Sequence, residues 1–567
     1  MKKPIIEFNN FSFKYRVQKS PSLSNINLTI YEGEKVLIVG PSGSGKSTLA
    51  NCINGLVPFS YAGQAEGSLI IKGQDPQKLG IFGLSKIVGT VLQDTDGQFV
   101  GLTVAEDIAF SLENDCIKQD EMLKRVEETA KLVDLTSFKS HSPQSLSGGQ
   151  KQRVSLGGVL IDNVEILLFD EPLANLDPAT GKYAMELIDQ IHRESGATVL
   201  IVEHRLEDVL HCSVDRIIVM DEGRIAADTV PSELLSSDIL KETGIREPLY
   251  ITALKYAGCR VPATAHPEHI NAVRLDDFNS KLTAWYDKKE SGHIKIKSTE
   301  VLELKNINFE YQKNKPILKD INTVIYKGEL VGLVGQNGAG KSTLSKVICG
   351  FEKPSAGSML FNGERIDDDS ITERAKKIGL VMQNPNHMIS KPMIFDEVAL
   401  GLVTRGWNQQ DINERVVEVL RTCGLYEFRN WPVSALSYGQ KKRVTIASIL
   451  VLKPEVIILD EPTAGQDLEH YTEFMEFLLK LNAENGTTIV MITHDMHLLL
   501  EYTERAIVMA EGSIIADASP AEILTNDEII VKANLKKTSL YELAVRAGID
   551  DSCSFVQHFI DYDRRVR

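Results

Sequence analysis

The chain of 567 residues holds no run of about 18 uninterrupted apolar residues, the length a membrane-spanning helix needs, and it is expected not to span a membrane. Its Met-Lys-Lys-Pro start is not followed by the apolar core of a secretory signal. Seven cysteines are scattered without a C-x-x-C pair, which argues against a zinc site, a dithiol redox centre or a disulfide framework and fits a reducing cytoplasm. Basic residues are outnumbered, 62 Lys and Arg against 78 Asp and Glu, so the net charge of −16 gives no global attraction for nucleic acid or anionic lipid. No nucleic-acid partner is expected.

What is present is ordinary for a globular chain: 43% apolar and 25% charged residues argue against disorder. The length suggests about three or four domains or subdomains. Two stretches stand out. Gly40, Pro41, Ser42, Gly43, Ser44, Gly45, Lys46 and Ser47 fit the phosphate-cradling pattern G-x-x-x-x-G-K-[ST] at every fixed position, and so do Gly335, Gln336, Asn337, Gly338, Ala339, Gly340, Lys341 and Ser342. Each follows an apolar run, 36–39 or 330–334, that reads as a buried strand. A polyphosphate is wrapped by backbone N–H groups, and side chains at the glycine positions would hold the backbone away. Lys46 and Lys341 would reach the terminal phosphates, Ser47 and Ser342 would ligate Mg²⁺, and the N-terminus of the following helix adds a favourable dipole.

The second half of the chain restates the first. Lys341 lies 295 residues after Lys46, and the spacing then settles at 290 for Gln93 and Gln383, Ser147 and Ser437, Asp170 and Asp460, and His204 and His494. The difference falls where the first copy carries extra loop, residues 56–66. Two units are expected, 1–259 and 300–550, each with a C-terminal extension, followed by a tail at 551–567 whose role is unreadable. Residues 260–299 are polar, without clear periodicity, and read as a linker; the competing reading is a small element packed on one unit. Within the first unit, Leu123, Val126, Ala130 and Val133 are spaced for one face of a helix over 121–135, and 165–169 and 198–202 read as buried strands. Strands alternating with helices predict an α/β fold with a mainly parallel sheet covered on both faces.

Two of the apolar strands end in consecutive acids, Asp170-Glu171 and Asp460-Glu461. Adjacent side chains at a strand end point in different directions, so the two can hold different jobs. The aspartates would contact Mg²⁺ through water, and the glutamates would orient and deprotonate an attacking water. Alone, such a pair is more often a solvated cap; behind a phosphate loop the reactive reading leads. Residues 146–150 read L-S-G-G-Q ahead of a helical pattern, where Ser147 can cap the helix while Gly148 and Gly149 leave N–H groups bare, making an anion site.

L-S-G-G-Q between a phosphate loop and a D-E strand end resembles the ATP-binding cassette ATPases, and the resemblance covers nearly all of both units. It implies two P-loop NTPase domains in tandem, each with a mainly parallel sheet, an N-terminal antiparallel subdomain and a helical signature subdomain, binding ATP and Mg²⁺ and hydrolysing the ATP. In the family this signature loop faces the phosphate loop of the opposite cassette, so a tandem chain can pair with itself, with Ser147 and Gly149, or Ser437 and Gly439, meeting the nucleotide. By the same resemblance Tyr15 and Tyr311 stack on adenine, Gln93 and Gln383 touch Mg²⁺ and sense the transport partner, and Asp177 and Asp467 belong to the loop crossing between cassettes. His204 and His494 contact the γ-phosphate, while Thr48 and Thr343, after the Mg²⁺ serines, complete the nucleotide set. The second copy departs from the pattern at Tyr438, which replaces the first glycine of the signature pair, and at Gln466, where leucine is usual. Both sites are expected to turn over, with the one served by Ser437 tuned differently.

The segments after Gln93 and Gln383, with T-V-A-E-D-I-A-F at 103–110 and F-D-E-V-A-L at 395–400, are similar to energy-coupling-factor ATPases, which drive uptake of vitamins and metal ions in prokaryotes. That implies a separate transmembrane coupling subunit, a small membrane substrate-binding subunit and a place at the cytoplasmic face of the cell membrane. Two rivals remain open: a soluble tandem cassette acting on the ribosome, disfavoured because 260–299 holds no heptads or basic run, and the fused ATPase of a sugar importer, disfavoured because both catalytic sets are complete.

Overall fold

The computed structural model describes residues 2–92, 96–174, 176–288, 299–463 and 466–566, and the chain divides into two compact units, Met1–Asp287 with Asp467–Glu469, and Lys288–Gln466 with His470–Arg567. In the first unit a six-stranded sheet runs in the order Val88–Val91, Ile166–Asp170, Thr198–Val202, Lys35–Val39, Arg216–Asp221, Arg224–Thr229, parallel except for its last pair. The strand Lys35–Val39 serves two cores. Leu37 and Val39 pack with Leu167, Phe169 and Val199 on one face, and Val36 and Ile38 pack with Leu168, Leu200 and Val202 on the other. Burial on both faces is why these strands read as unbroken apolar runs. A separate antiparallel sheet orders Leu23–Tyr31, Pro4–Tyr15 and Gly63–Ile71.

The second unit repeats the plan. Its six-stranded sheet runs Ile378–Val381, Val456–Asp460, Thr488–Ile492, Leu330–Gly335, Arg505–Ala510, Ser513–Ala518, again with only the last pair antiparallel. Its antiparallel sheet joins Lys315–Tyr326, Glu300–Gln312, Ala356–Phe361 and Glu364–Arg365. Register decides what the sheet can present: Ile38 lies opposite Val202, and Val202 opposite Asp170, so the phosphate loop, the acid pair and the histidine all leave the same edge.

Three expectations are corrected, and the tail gains a structure. The helix expected over 121–135 forms as Gln119–Leu132, but Leu123 is 61% exposed while Val126, Thr129 and Ala130 are buried. Val126, Ala130 and Val133 are buried as expected, and only the first member of the stripe moves, since Met122 and not Leu123 packs against the core. The extra segment of the first copy is not plain loop: it makes a helical turn, Leu56–Phe59, and the first part of the strand Gly63–Ile71. Residues 260–287, read as linker, belong to the first unit, where the helix Asn279–Tyr286 and the chain before it bury Val273, Phe278, Leu282 and Trp285. Their apolar side chains are spread singly among prolines, histidines and acids, so no period betrays them. The tail is the helix Ser552–Val566, whose buried Phe555, Val556, Phe559 and Ile560 recur at the spacing of one helical face. Arg564 from that helix donates to the carbonyls of Glu501 and Thr503 at 3.1 and 2.7 Å, satisfying backbone at the end of the helix Met496–Tyr502.

No helix of the described residues is long and apolar enough to cross a membrane. Because Leu282 is fully buried in a segment with little other regular structure, Leu282→Ala is expected to destabilise the first unit by about 2–5 kcal/mol, measured by denaturant unfolding.

Candidate active site

In each unit the strand at the centre of the sheet passes directly into the glycine-rich loop and then into a helix, Lys46–Ile53 or Lys341–Ile348. The glycines are demanded by the loop's own surroundings. A Cβ on Gly40 would lie 2.2 Å from the Met220 carbonyl oxygen, and one on Gly335 would lie 2.0 Å from that of Met509. Gly43 and Gly45 hold φ of 78° and 99°, and Gly338 and Gly340 hold 81° and 102°, which an L side chain rarely adopts. The lysines are buried, and each points back across the loop: Lys46 Nζ donates to the Gly40 and Pro41 carbonyls at 2.8 and 2.9 Å, Lys341 Nζ to those of Gly335 and Gln336 at 2.7 and 2.9 Å. Burial lowers the Lys46 ammonium to about 8, against the opposing field of Glu171.

The acid pairs stand beside these lysines. Burial and the neighbouring glutamate raise Asp170 and Asp460 to about 6 each. Asp170 Oδ1 is buried without a hydrogen-bond partner, and Ser342 Oγ donates to Asp460 Oδ2 at 3.3 Å. The orphaned Asp170 oxygen in one unit and the Asp460 carboxylate with the Ser342 hydroxyl in the other are oxygen donors suited to a hard divalent cation such as Mg²⁺. Glu171 and Glu461 sit at φ of 49° and 48°, a sparsely populated conformation held by bonds from their N–H groups to the Val202 and Ile492 carbonyls, both 2.9 Å. Each glutamate meets its histidine: His204 Nε2 lies 2.9 Å from Glu171 Oε1, and His494 Nδ1 lies 2.8 Å from Glu461 Oε1. For Glu171 burial acts upward, but the hydrogen bond and charge of His204 outweigh it and its carboxyl falls below the ordinary value.

The signature serines cap their helices. Gln150 N–H donates to Ser147 Oγ at 3.4 Å while Gln150 Oε1 accepts from the Ser147 N–H at 2.9 Å, and Ser437 with Gln440 repeats this at 3.3 and 3.0 Å. The glutamine of the motif is therefore the return half of a capping box. Gly149 is tightly enclosed, since a Cβ there would meet Thr180 Cγ2 at 2.4 Å, but a Cβ on Gly148 would find only Leu176 Cδ2 at 3.9 Å. That open position is the one that becomes Tyr438, whose hydroxyl donates to the Gln383 carbonyl at 3.2 Å. Asp177, expected in the loop crossing between cassettes, caps the helix Pro178–Ser195 by accepting from the Thr180 N–H at 2.9 Å.

The two tyrosines expected to stack on adenine stand differently. Tyr15 donates to Thr48 Oγ1 at 3.2 Å and meets the ring of Tyr61, from the extra segment, edge-on at 6.3 Å. Tyr311 has no such neighbour from a matching segment and is 53% exposed. Gln93 lies outside the described residues.

The ABC transporter family profile matches residues 23–174 and 318–464, which include both phosphate loops and both acid pairs. A relative from Clostridium perfringens (strain 13 / Type A) is 61% identical over 566 residues, covering 100% of both chains, and its name describes an ABC transporter ATP-binding protein. The chain belongs to the ABC transporter family. As a member of its ATP-binding proteins it is an ATPase. Relatives of the same description come from Enterococcus faecalis, 58% identical with 100% of both chains covered, and Vibrio vulnificus, 53% identical with 99% of this chain and 98% of that one. A second profile, described as an ATP-binding cassette cobalt transporter, matches residues 237–309. A solved structure of cbiO1 from Clostridium perfringens, described as part of the ABC transporter complex cbiONQ, is 36% identical and covers 42% of this chain and 95% of that one, with a TM-score of 0.39.

One ionisable group of this ABC site went unremarked in the sequence. Glu203 directly precedes His204, is fully enclosed, and has one oxygen, Oε2, without a hydrogen-bond partner; Thr493 takes its place in the second unit. An acid beside a histidine reads as surface, and only the strand register puts it inside. Burial, with the nearby Glu171, pushes Glu203 up to about 8 although Arg205 pulls the other way. The folded chain thus prefers this carboxyl protonated, so its contribution to stability is lost as pH rises from the unfolded value near 4.5 to about 8. Glu203→Gln removes that loss, and the melting-temperature advantage of the variant over the native chain is expected to grow between pH 5 and pH 8, read by scanning calorimetry across that range.

Proposed function

We propose that the chain is the ATP-hydrolysing energy-coupling subunit of a membrane importer for a vitamin, a vitamin precursor or a metal ion, working at the cytoplasmic face of a prokaryotic cell membrane. The observation that carries this reading is the duplicated centre: in both units a phosphate-loop lysine, an Asp-Glu strand end and a histidine within 3 Å of that glutamate share one sheet edge. Two complete centres favour a chain that turns over ATP in both units. The match of 237–309 to a profile described as a cobalt transporter supports a metal-ion or cobalt-related cargo.

In this proposal Mg²⁺ bound with ATP supplies charge neutralisation at the terminal phosphates. The chain's own residues do the rest. The loop N–H groups and Lys46 or Lys341 orient the phosphates, and Asp170 with Ser47, or Asp460 with Ser342, would hold the cation. Glu171 and Glu461 orient the attacking water and take its proton, while His204 and His494 fix the carboxylates and stand toward the γ-phosphate. Gln383, with Gln93, would report this state to a membrane partner.

A docking place for that partner is supported by the segments that follow the two glutamines. In the first unit Asp107 accepts from the Val100 and Gly101 N–H groups at 2.8 and 3.0 Å, and in the second Glu397 accepts from those of Ser390 and Lys391 at 2.8 and 2.7 Å. Each loop is thus pinned to the helix behind it. What the loops show to solvent differs: Val100 and Leu102, 61% and 81% exposed, stand where the second unit exposes Ser390 and Pro392. Two pinned loops, the first with exposed apolar side chains, suit a transmembrane coupling subunit, with a small membrane protein binding the cargo.

Glu171→Gln and Glu461→Gln are each expected to lower ATP turnover, and together to lower it by about 10²–10⁴-fold, in a phosphate-release assay with the full chain. The importer reading is tested by purifying the tagged chain from gently solubilised membranes of its host and identifying what accompanies it. Recovery of a coupling transmembrane protein with a small, very apolar binding protein is the expected result. Ribosomal proteins without a membrane partner would overturn it.

A further inference from the structure

Two residues past the signature glutamine, the units carry different side chains doing the same thing. In the first, Gln152 Nε2 donates to the Pro172 carbonyl; in the second, Lys442 Nζ donates to the Pro462 carbonyl at 2.6 Å. Pro172 and Pro462 directly follow Glu171 and Glu461. Lys442 is 2% exposed, and its ammonium also stands 5.1 Å over the Tyr438 ring. Burial lowers it to about 8, which leaves it cationic at neutral pH in the field of the Glu461 carboxylate. A buried ammonium is costly, and the sister unit fills the same position with a neutral amide. Packing alone does not call for the charge.

The anchored carbonyl explains it. The glutamates are held at positive φ, and such a conformation persists only when its flanks are fixed. On one side the fixing bond runs from the glutamate's own N–H to the neighbouring strand. On the other side the Glu171 carbonyl accepts from the Ala174 N–H at 3.1 Å, and the carbonyl of the following proline is held by a side chain, Gln152 or Lys442, from the opening turns of the helices Gly148–Leu160 and Tyr438–Leu450. A charged donor makes the stronger hydrogen bond, and here it also places positive charge beside the glutamate.

We propose that Gln152 and Lys442 are positioning residues for Glu171 and Glu461, each tying the carbonyl of the proline that follows the glutamate to the signature helix, with Lys442 making the second tie the stronger. The inference rests on the assignment of those glutamates to water activation. Tyr438 belongs to the same device, since its ring covers the ammonium that does the tying.

The test uses the full chain and steady-state ATP hydrolysis. Lys442→Met removes the donor at similar length, Lys442→Gln installs the donor of the first unit, and Gln152→Met with Lys442→Met removes both ties. The double variant is expected to lose about ten-fold or more in kcat, the order of loss that small misplacement of a reacting group produces, with KM for ATP within about two-fold of native. Lys442→Gln is expected to keep kcat within about two-fold of native, a rescue that mere space-filling would not give. A native kcat in the double variant, a loss confined to KM, or Lys442→Gln as impaired as Lys442→Met would overturn the proposal. Thermal melting accompanies each variant; if Lys442→Met does not fold, Gln152→Met, which removes no buried charge, carries the same expectation of reduced kcat at unchanged KM. Glu461→Gln run in parallel separates the two readings. A native kcat there overturns the glutamate assignment, whereas a large loss there with a native kcat in the double variant overturns the tie alone.

Discussion

In each unit the first glycine of the loop lies so near a carbonyl of the adjacent strand that a Cβ there would meet its oxygen at 2.2 or 2.0 Å, and the rest of the site depends on that approach. With the backbone this near Met220 or Met509, no residue with a Cβ fits, and the chain turns sharply off the sheet edge. The loop thus leaves the sheet at the ends of the strands that flank it. Because the sheet is parallel, those ends all point the same way, and whatever follows each strand is delivered to one place. Asp-Glu arrives from one strand and histidine from the next. Each side chain is positioned by sheet register before any contact between side chains is made.

The chemistry was legible in the sequence because its spacing is set by that delivery. Lysine must follow the glycines within one turn, and the acids must end an apolar strand, so short local patterns carried the centre. Packing between distant segments was not legible. Leu123 has the spacing of a core residue and is exposed, because the face of its helix is chosen by what packs on it and not by the period alone. Residues 260–287 hide a folded element behind a composition of linker type. Tyr438 reads as a departure from a glycine pair; the open space at Gly148 shows that the first glycine of the pair can be given up, and in the first unit the enclosure of Gly149 by Thr180 marks the position with less room. Glu203 was invisible for the opposite reason, since nothing local marks a carboxyl as enclosed.

The differences between the units follow a pattern. Lysine, serine, aspartate, glutamate and histidine are the same in both centres, whereas differences gather in the surrounding layer: the added Tyr61 beside Tyr15, Glu203 against Thr493, Gln152 against Lys442. Those neighbours do not change which atoms react. They change how firmly the reacting groups are held and what charge surrounds them, which is where two copies of one ATPase can differ without either losing its chemistry.

The loops pinned by Asp107 and Glu397 carry this difference to the surface. One shows valine and leucine; its counterpart shows serine and proline. Two identical loops would be interchangeable addresses, and a partner with two unlike contact segments could dock either way round with equal energy. For the partner proposed above, unlike loops would remove that degeneracy: each of its segments would have one destination, and the duplicated chain would accept it in a single orientation.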